Sequence, residues 1–350
     1  MVSSRPFIGA RLERAYDRRV EASVRRLGWR DSVIAYTGYG NTDRLRVLAR
    51  VIASPASSRA AERLAAAQAR AWLERRGWRN FVAVPCVDRL VRITVGSRVV
   101  EAYADRGGYV DVTVDGHDLT PGWHAIAIET RQCPPTPAPV QIIGPQVGFG
   151  IVSDIDDTIL TTNVPRPLLS LWHSLIQTEA AREPVAGMAA LYHDLLGAHP
   201  DAPVIYLSTG AWNTQPFLER FIAYHGFPPG PMLLTDWGPT QTGWQRSGPA
   251  HKARSLRGLA RDFPGIRWLL VGDDGQRDPG IYAGFARIYP RHVAAIAIRE
   301  LNPVQQILAH GTFTQLPSPG HVAPVPGIEV RGPDGNALLP QVRRLLGDAD

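Results

Sequence analysis

Lysine is almost missing from this chain. Of 38 basic residues, one, Lys252, is a lysine and the rest are arginine. So one-sided a usage reads as a bias of the coding genome, and it makes the exception informative, because arginine has not been accepted at position 252. Cysteine is scarce too. Cys86 and Cys133 stand alone and lack redox spacing, which excludes a disulfide scaffold. No apolar run approaches the ~18 residues that cross a bilayer. The arginine-rich first 30 residues lack the apolar centre of a secretory signal. These absences lead to the expectation of a soluble, cytoplasmic protein. What is present fits a globular chain: 350 residues, 44% apolar and 20% charged, enough for two domains with sizeable cores. With 33 glycines and 30 prolines, turns should be plentiful. A net charge of +6 suits anionic partners, but arginine spread along the whole chain need not form a patch. No nucleic-acid partner is expected.

Four segments follow from the pattern. Residues 1–30 form a basic N-terminal segment, with eight arginines and three acids between positions 5 and 30. Leu12, Ala15, Val20, Val24 and Leu27 give it a helical apolar stripe. A solvated helix packed on its own domain is the plainer reading and the one preferred. Residues 31–138 read as a β-rich, sandwich-like domain with one helix at 59–76. Its strands are expected at 32–39, 45–52, 90–95, 99–104, 109–114 and 124–129, separated by glycine-containing turns. Residues 133–139, four of them proline, read as a stiff linker. From 147 to 310, apolar strands at 149–152, 204–207, 232–234, 266–271 and 294–298 alternate with helices at 216–225, 252–262 and 279–285. That alternation predicts an α/β fold with a doubly wound parallel sheet. Residues 311–350 read as a Pro/Gly-rich C-terminal segment.

The densest chemistry follows the strand at 149–152, in Ser153-Asp154-Ile155-Asp156-Asp157-Thr158. Ligands of open α/β sheets bind outside the carboxyl ends of the strands, so Asp154 and Asp156 stand where a site is expected. One carboxylate could attack phosphorus while its neighbour two residues on exchanges protons with the leaving oxygen and with water. Mg²⁺ would neutralise such crowded charge. Alone, an Asp-x-Asp pair equally suits a turn, a helix cap or the metal site of a glycosyltransferase. Three further features narrow the choice. Ser208 and Thr209 end the second strand and offer hydroxyl and backbone N–H groups to a phosphate. Lys252 opens a helix. Asp273 ends a later strand, and Asp278, followed by Pro279, suits either a helix N-cap or a group that orients water or the lysine.

Taken together, these features resemble the haloacid dehalogenase superfamily. Asp154-x-Asp156-x-Thr158 corresponds to its first motif, Ser208 to its second, Lys252 to its third and Asp273 with Asp278 to its fourth. The resemblance implies a Rossmann-like sheet. It makes Asp154 the nucleophile, forming an aspartyl-phosphate, and Asp156 the general acid/base. Thr158, Ser208 and Thr209 become phosphate-binding groups, and Mg²⁺ falls to Asp154, the backbone carbonyl of Asp156, and Asp273. More narrowly, 153–159, His225-Gly226-Phe227-Pro228, Asp236-Trp237-Gly238, His251-Lys252, 275–282 and Tyr36-x-Gly38-Tyr39-Gly40 are similar to the actin-patch-associated phosphatidate phosphatase family, over about residues 33 to 300. Asp274 departs from that pattern, standing where a small residue is expected.

This resemblance implies hydrolysis of phosphatidate to diacylglycerol. The apolar segment 167–176 and Trp212, Trp237 and Trp244 would lie where substrate is selected. They suit acyl chains or peripheral contact with an anionic membrane, and they equally suit an ordinary core. Two alternatives remain: a soluble phosphatase of the same superfamily acting on a small-metabolite phosphomonoester, and a non-catalytic scaffold or binding module on the same fold.

Overall fold

The computed structural model describes residues 19–55, 84–161, 183–235, 248–275, 277–302, 305 and 324–347. The helix expected at 59–76 and the apolar segment 167–176, together with Trp237, Trp244 and residues 5–18, lie outside the described residues. The chain forms two compact units, Met1–Gly144 with Asp236–Arg246, and Pro145–Thr235 with Ser247–Asp350.

The first unit is β-rich. Its strands are β1 (Trp29–Ala35), β2 (Gly38–Asn41), β3 (Arg44–Pro55), β4 (Val84–Pro85), β5 (Leu90–Val95), β6 (Arg98–Tyr103), β7 (Tyr109–Asp115), β8 (Gly122–Thr130) and β9 (Cys133–Ile143). They form one nine-stranded sheet in the order β1-β3-β2-β9-β8-β5-β6, with β4 and β7 also pairing with β3. The expected alternation is present. Val91, Ile93 and Val95 of β5 point inward, and Leu90 and Arg92 outward. The β5–β6 turn needs a left-handed residue, which Gly96 supplies at φ +56°.

The linker expected at 133–139 is instead the first part of β9. Along it Ala138, Val140 and Ile142 are buried, while Pro135, Pro137 and Pro139 are exposed. On one side β9 pairs with β8. On the other, β2 joins it only from Val140 onward, so among the described strands the proline stretch has an open edge. A proline costs no ladder bond on such an edge.

Residues 19–26 are helical, and Val24 packs on the core of this unit. Arg25 donates to Glu21 and Asp31, Arg89 donates to Glu21 at 2.5 Å, and Thr130 Oγ1 donates to Asp31 at 2.7 Å. Residues 19–26 of the basic segment are therefore tied to the β-rich unit.

The second unit is an α/β fold. Its elements run β10 (Phe149–Ser153), α1 (Met188–Ala198), β11 (Val204–Ala211), α2 (Gln215–Tyr224), β12 (Met232–Thr235), α3 (Gly248–Asp262), β13 (Arg267–Asp273), α4 (Asp278–Ile288), β14 (Val293–Arg299), β15 (Glu329–Gly332) and α5 (Gly335–Leu346). The strands form a six-stranded sheet in the order β12-β11-β10-β13-β14-β15, with every pair parallel. Every residue of β10 and β14 is buried, which is why both read as unbroken apolar runs rather than alternating ones.

From β10 the chain steps outward to β11 and β12, then returns to the other side of β10 as β13. The order reverses between β10 and β13, and in open α/β sheets ligands bind outside the carboxyl ends of the strands at such a reversal. β15 and α5 were not expected within the Pro/Gly-rich C-terminal segment. The helix is capped by Asp334, which accepts from Ala337 N at 3.0 Å, and ends at Gly347 in a left-handed turn. Its buried Leu338 and Val342 each contribute about 1.5–3 kcal/mol by leaving water.

Candidate active site

Asp154 follows β10 at the reversal point. Its N–H donates to Val271 O of β13 at 2.9 Å, which fixes the first acidic residue beside the end of the neighbouring strand. From there the chain turns sharply. Asp157 has φ +58°, a left-handed conformation that costs a non-glycine residue about 1–3 kcal/mol. Its N–H is held by Leu160 O at 2.9 Å.

Lys252, on α3, reaches into this turn. Its Nζ lies 2.7 Å from Asp154 Oδ1 and 2.6 Å from Asp278 Oδ1, and all three side chains are 1% exposed. Asp273, the last residue of β13, completes the group: carboxylate oxygens of Asp154, Asp273 and Asp278 lie within 4.8 Å of one another. Burial pushes the Asp154 carboxyl up to about 7, against the pull of Lys252, with Asp278 and Asp156 adding repulsion. The same burial, with Asp278 and Asp154 nearby, raises Asp273 well above the ordinary carboxylate range. For Lys252, burial works against the charge, but Asp154 and Asp278 outweigh it and its pKa rises, so the ammonium stays charged.

Three carboxylates against one ammonium leave this pocket short of positive charge. Among the described residues, both oxygens of Asp273 and Oδ2 of Asp278 are buried without a hydrogen-bond partner. Orphaned oxygens on a buried, all-carboxylate set fit a small hard divalent cation.

The remaining expected site residues separate into those that join the group and those beside it. Ser208 is buried, donates to Asp156 Oδ2 at 3.1 Å and accepts from Gly210 N at 2.9 Å. The Asp156 side chain is thus tied to the end of β11. Thr158 Oγ1 stands 3.5 Å from Asp154 Oδ2 and is fully buried. Thr209 is exposed, and its carbonyl accepts from Thr235 Oγ1 at 2.8 Å.

Asp278 is not the N-cap of α4. Arg277 holds that position, and the Asp278 carboxylate turns inward to Lys252. The charge of the lysine outbids a cap bond here. Asp274 faces away from the group, its Oδ1 accepting from Leu301 N at 2.9 Å. Two contributors were not singled out in the sequence. Tyr192 on α1 pairs with Ser153 Oγ at 2.6 Å beneath the turn. A Cβ at Gly272 would come within 2.6 Å of Asp278 Oδ2, so a bare backbone lets that carboxylate approach β13. The signal for Gly272 was visible in Gly272-Asp273-Asp274-Gly275, while nothing local marked Tyr192.

Residues 149–300 match the family model of the phosphatidate phosphatase APP1 catalytic domain. Over 162 residues the chain is 30% identical to phosphatidate phosphatase APP1 of Saccharomyces cerevisiae, covering 46% of this chain and 27% of the yeast protein. It is 24% identical over 155 residues to an uncharacterised protein of Schizosaccharomyces pombe, covering 44% of this chain and 25% of the other. The chain thus spans about a quarter of the length of the curated relatives it matches. Among solved structures, a carbohydrate acetylesterase from Xanthomonas citri aligns over 67% of this chain and 66% of that one, at 7% identity and a TM-score of 0.22, too low to bear on fold or function. The stretch that is similar to the APP1 phosphatidate phosphatase catalytic domain, residues 149–300, holds Asp154, Asp156, Ser208, Lys252, Asp273 and Asp278 together.

Proposed function

We propose that this protein is a Mg²⁺-dependent phosphoric monoester hydrolase that converts phosphatidate to diacylglycerol through an aspartyl-phosphate on Asp154. One observation carries the reading: a lysine buried between two aspartates, beside a third whose carboxylate oxygens have no hydrogen-bond partner among the described residues. The strand order of the second unit, with its acidic turn after β10, supports a haloacid dehalogenase-like doubly wound sheet. The inward-facing strands of the first unit, which share one core, support a sandwich.

In this mechanism Asp154 attacks phosphorus, and the bond to the glycerol oxygen breaks. Asp156 gives its proton to that departing oxygen, so diacylglycerol leaves neutral. Asp156 then takes a proton from water, the water oxygen attacks the aspartyl-phosphate, and Asp154 is regenerated as phosphate departs. Lys252 holds Asp154 through Oδ1, leaving Oδ2 to attack, and offsets the charge of the phosphoryl group. Asp278 fixes the lysine from its other side. Ser208 and Thr209 would bind phosphate oxygens, and Thr158 would steady Asp154. Asp154 and Asp273, with the backbone carbonyl of Asp156, would hold the ion. Bound there, Mg²⁺ would supply charge neutralisation and orient the phosphate.

The lipid assignment rests on the name of the yeast relative. A cytoplasmic protein in peripheral contact with an anionic membrane is the setting that fits it. A phosphate-release assay comparing phosphatidate micelles with soluble phosphomonoesters, with Mg²⁺ and with EDTA, tests the reading. Release from phosphatidate that EDTA abolishes supports it. Efficient hydrolysis of soluble esters with phosphatidate ignored would replace the lipid by a small metabolite. No release from any ester would leave a binding module.

A further inference from the structure

The left-handed turn at Asp157 is held from two sides, and the second hold comes from far along the chain. Arg299, the last residue of β14, is 6% exposed and donates through Nη1 to Asp157 O at 2.6 Å. With Leu160 O holding the N–H of the same residue, both flanking peptides of Asp157 are pinned. Those peptides follow directly on Asp156. Arg299 is itself fixed by what lies beyond residue 300, outside the stretch matched to the family. Its Nε donates to Pro333 O at 3.1 Å, and Nη2 donates to Gln305 Oε1 at 3.1 Å. Pro333 directly follows β15, which pairs with β14 in register Arg299↔Gly332. A guanidinium suits this post because its rigid planar fork spreads its donors over three separated acceptors, which a compact ammonium on a flexible stem does not.

We propose that Arg299 is a positioning residue: braced by the β15–α5 segment, it holds the Asp157 peptide so that the preceding Asp156 carboxylate stays aimed at the leaving-group oxygen. This rests on the reading of Asp156 as the general acid. A strained backbone conformation persists only where its surroundings over-determine it, and Arg299 supplies the long-range part of that determination. A small misplacement of a proton donor lowers kcat more than KM.

The test uses two leaving groups. Nitrophenolate departs without help, whereas an alkoxide needs the proton. Arg299→Lys and Arg299→Met are assayed beside the wild type on p-nitrophenyl phosphate and on phosphatidate micelles, with glycerol phosphate as the alkyl ester if the wild type refuses micelles. The expected result is a loss in kcat of roughly tenfold or more on the alkyl ester and under threefold on the aryl ester, with KM changed little. If Arg299→Met fails to fold, Arg299→Lys, which keeps the charge, carries the test. Equal losses on both esters, or none, overturn the positioning role while the wild-type activity leaves the proposed reaction standing. A wild type that hydrolyses neither ester overturns the reaction and this role together.

Discussion

Replacing Lys252 by methionine isolates the charge at the centre of the site. The side chains are similar in length and volume, so the packing cost is small. The electrostatic cost is not. The lysine is 1% exposed and lies within 2.7 Å of two carboxylates that are equally buried. Removing one partner of a buried ion pair costs about 3–5 kcal/mol, chiefly because the other is stranded. In a domain of 150–250 residues, each kcal/mol moves Tm by about 2–4 °C, so the metal-free variant should melt roughly 6–20 °C below the wild type at pH 8.

The dependence on pH has a definite sign. The folded Asp154 carboxyl is raised to about 7 by burial, while Lys252 pulls it down. The folded, metal-free protein therefore keeps a proton that the unfolded chain has released. The contribution of this group to stability is greatest below about pH 4, falls as pH rises toward about 7, and levels off beyond. Without the ammonium the fall continues to higher pH. Denaturant unfolding in EDTA at pH 5 and pH 8 should show a gap between wild type and variant that widens with pH. A gap below about 1 kcal/mol at pH 8, within the range of an exposed pair, would refute the burial of this charge, as would a gap that narrows.

Two other substitutions probe the groups around it. Gly272→Ala places a Cβ 2.6 Å from Asp278 Oδ2 and 2.8 Å from Tyr282 Cε2, so thermal melts should show a loss of about 1–3 kcal/mol, and turnover should fall as Asp278 is displaced from Lys252; unchanged stability would mean that the carboxylate does not sit against β13. Asp273→Asn should act with opposite signs, raising metal-free stability by removing one crowded carboxylate while raising the Mg²⁺ needed for half-maximal activity at least roughly tenfold; an unaltered Mg²⁺ requirement would remove Asp273 from the ion site.

Where an element's own residues declared its environment, it was legible in the sequence. The strands β10, β13 and β14 are buried on both faces, and an unbroken apolar run records that directly. The acidic and lysine motifs were legible because each stands at a strand end or in a helix's first turns. Composition misled at β9, where prolines suggested a linker; the period-two spacing of Pro135, Pro137 and Pro139, with Thr136 and Ala138 between, was the contrary signal. The C-terminal strand and helix were hidden in a Pro/Gly-rich context. Asp278 was readable as a cap because capping is local, whereas its bond to a lysine 26 residues away is not. Arg299 is one of 37 arginines, and nothing in its neighbourhood in sequence marks a contact 142 residues distant.

The central claim is that Asp154 becomes covalently phosphorylated. Turnover of phosphatidate with Mg²⁺, quenched in acid, should leave phosphate on the denatured protein, released by hydroxylamine as an acyl phosphate is. Mass spectrometry should place it on Asp154, and Asp154→Asn should fold normally, carry no phosphate and lose turnover by several orders of magnitude. Near-normal turnover by Asp154→Asn, or full wild-type activity with no trapped phosphate on any quench timescale, would contradict the account.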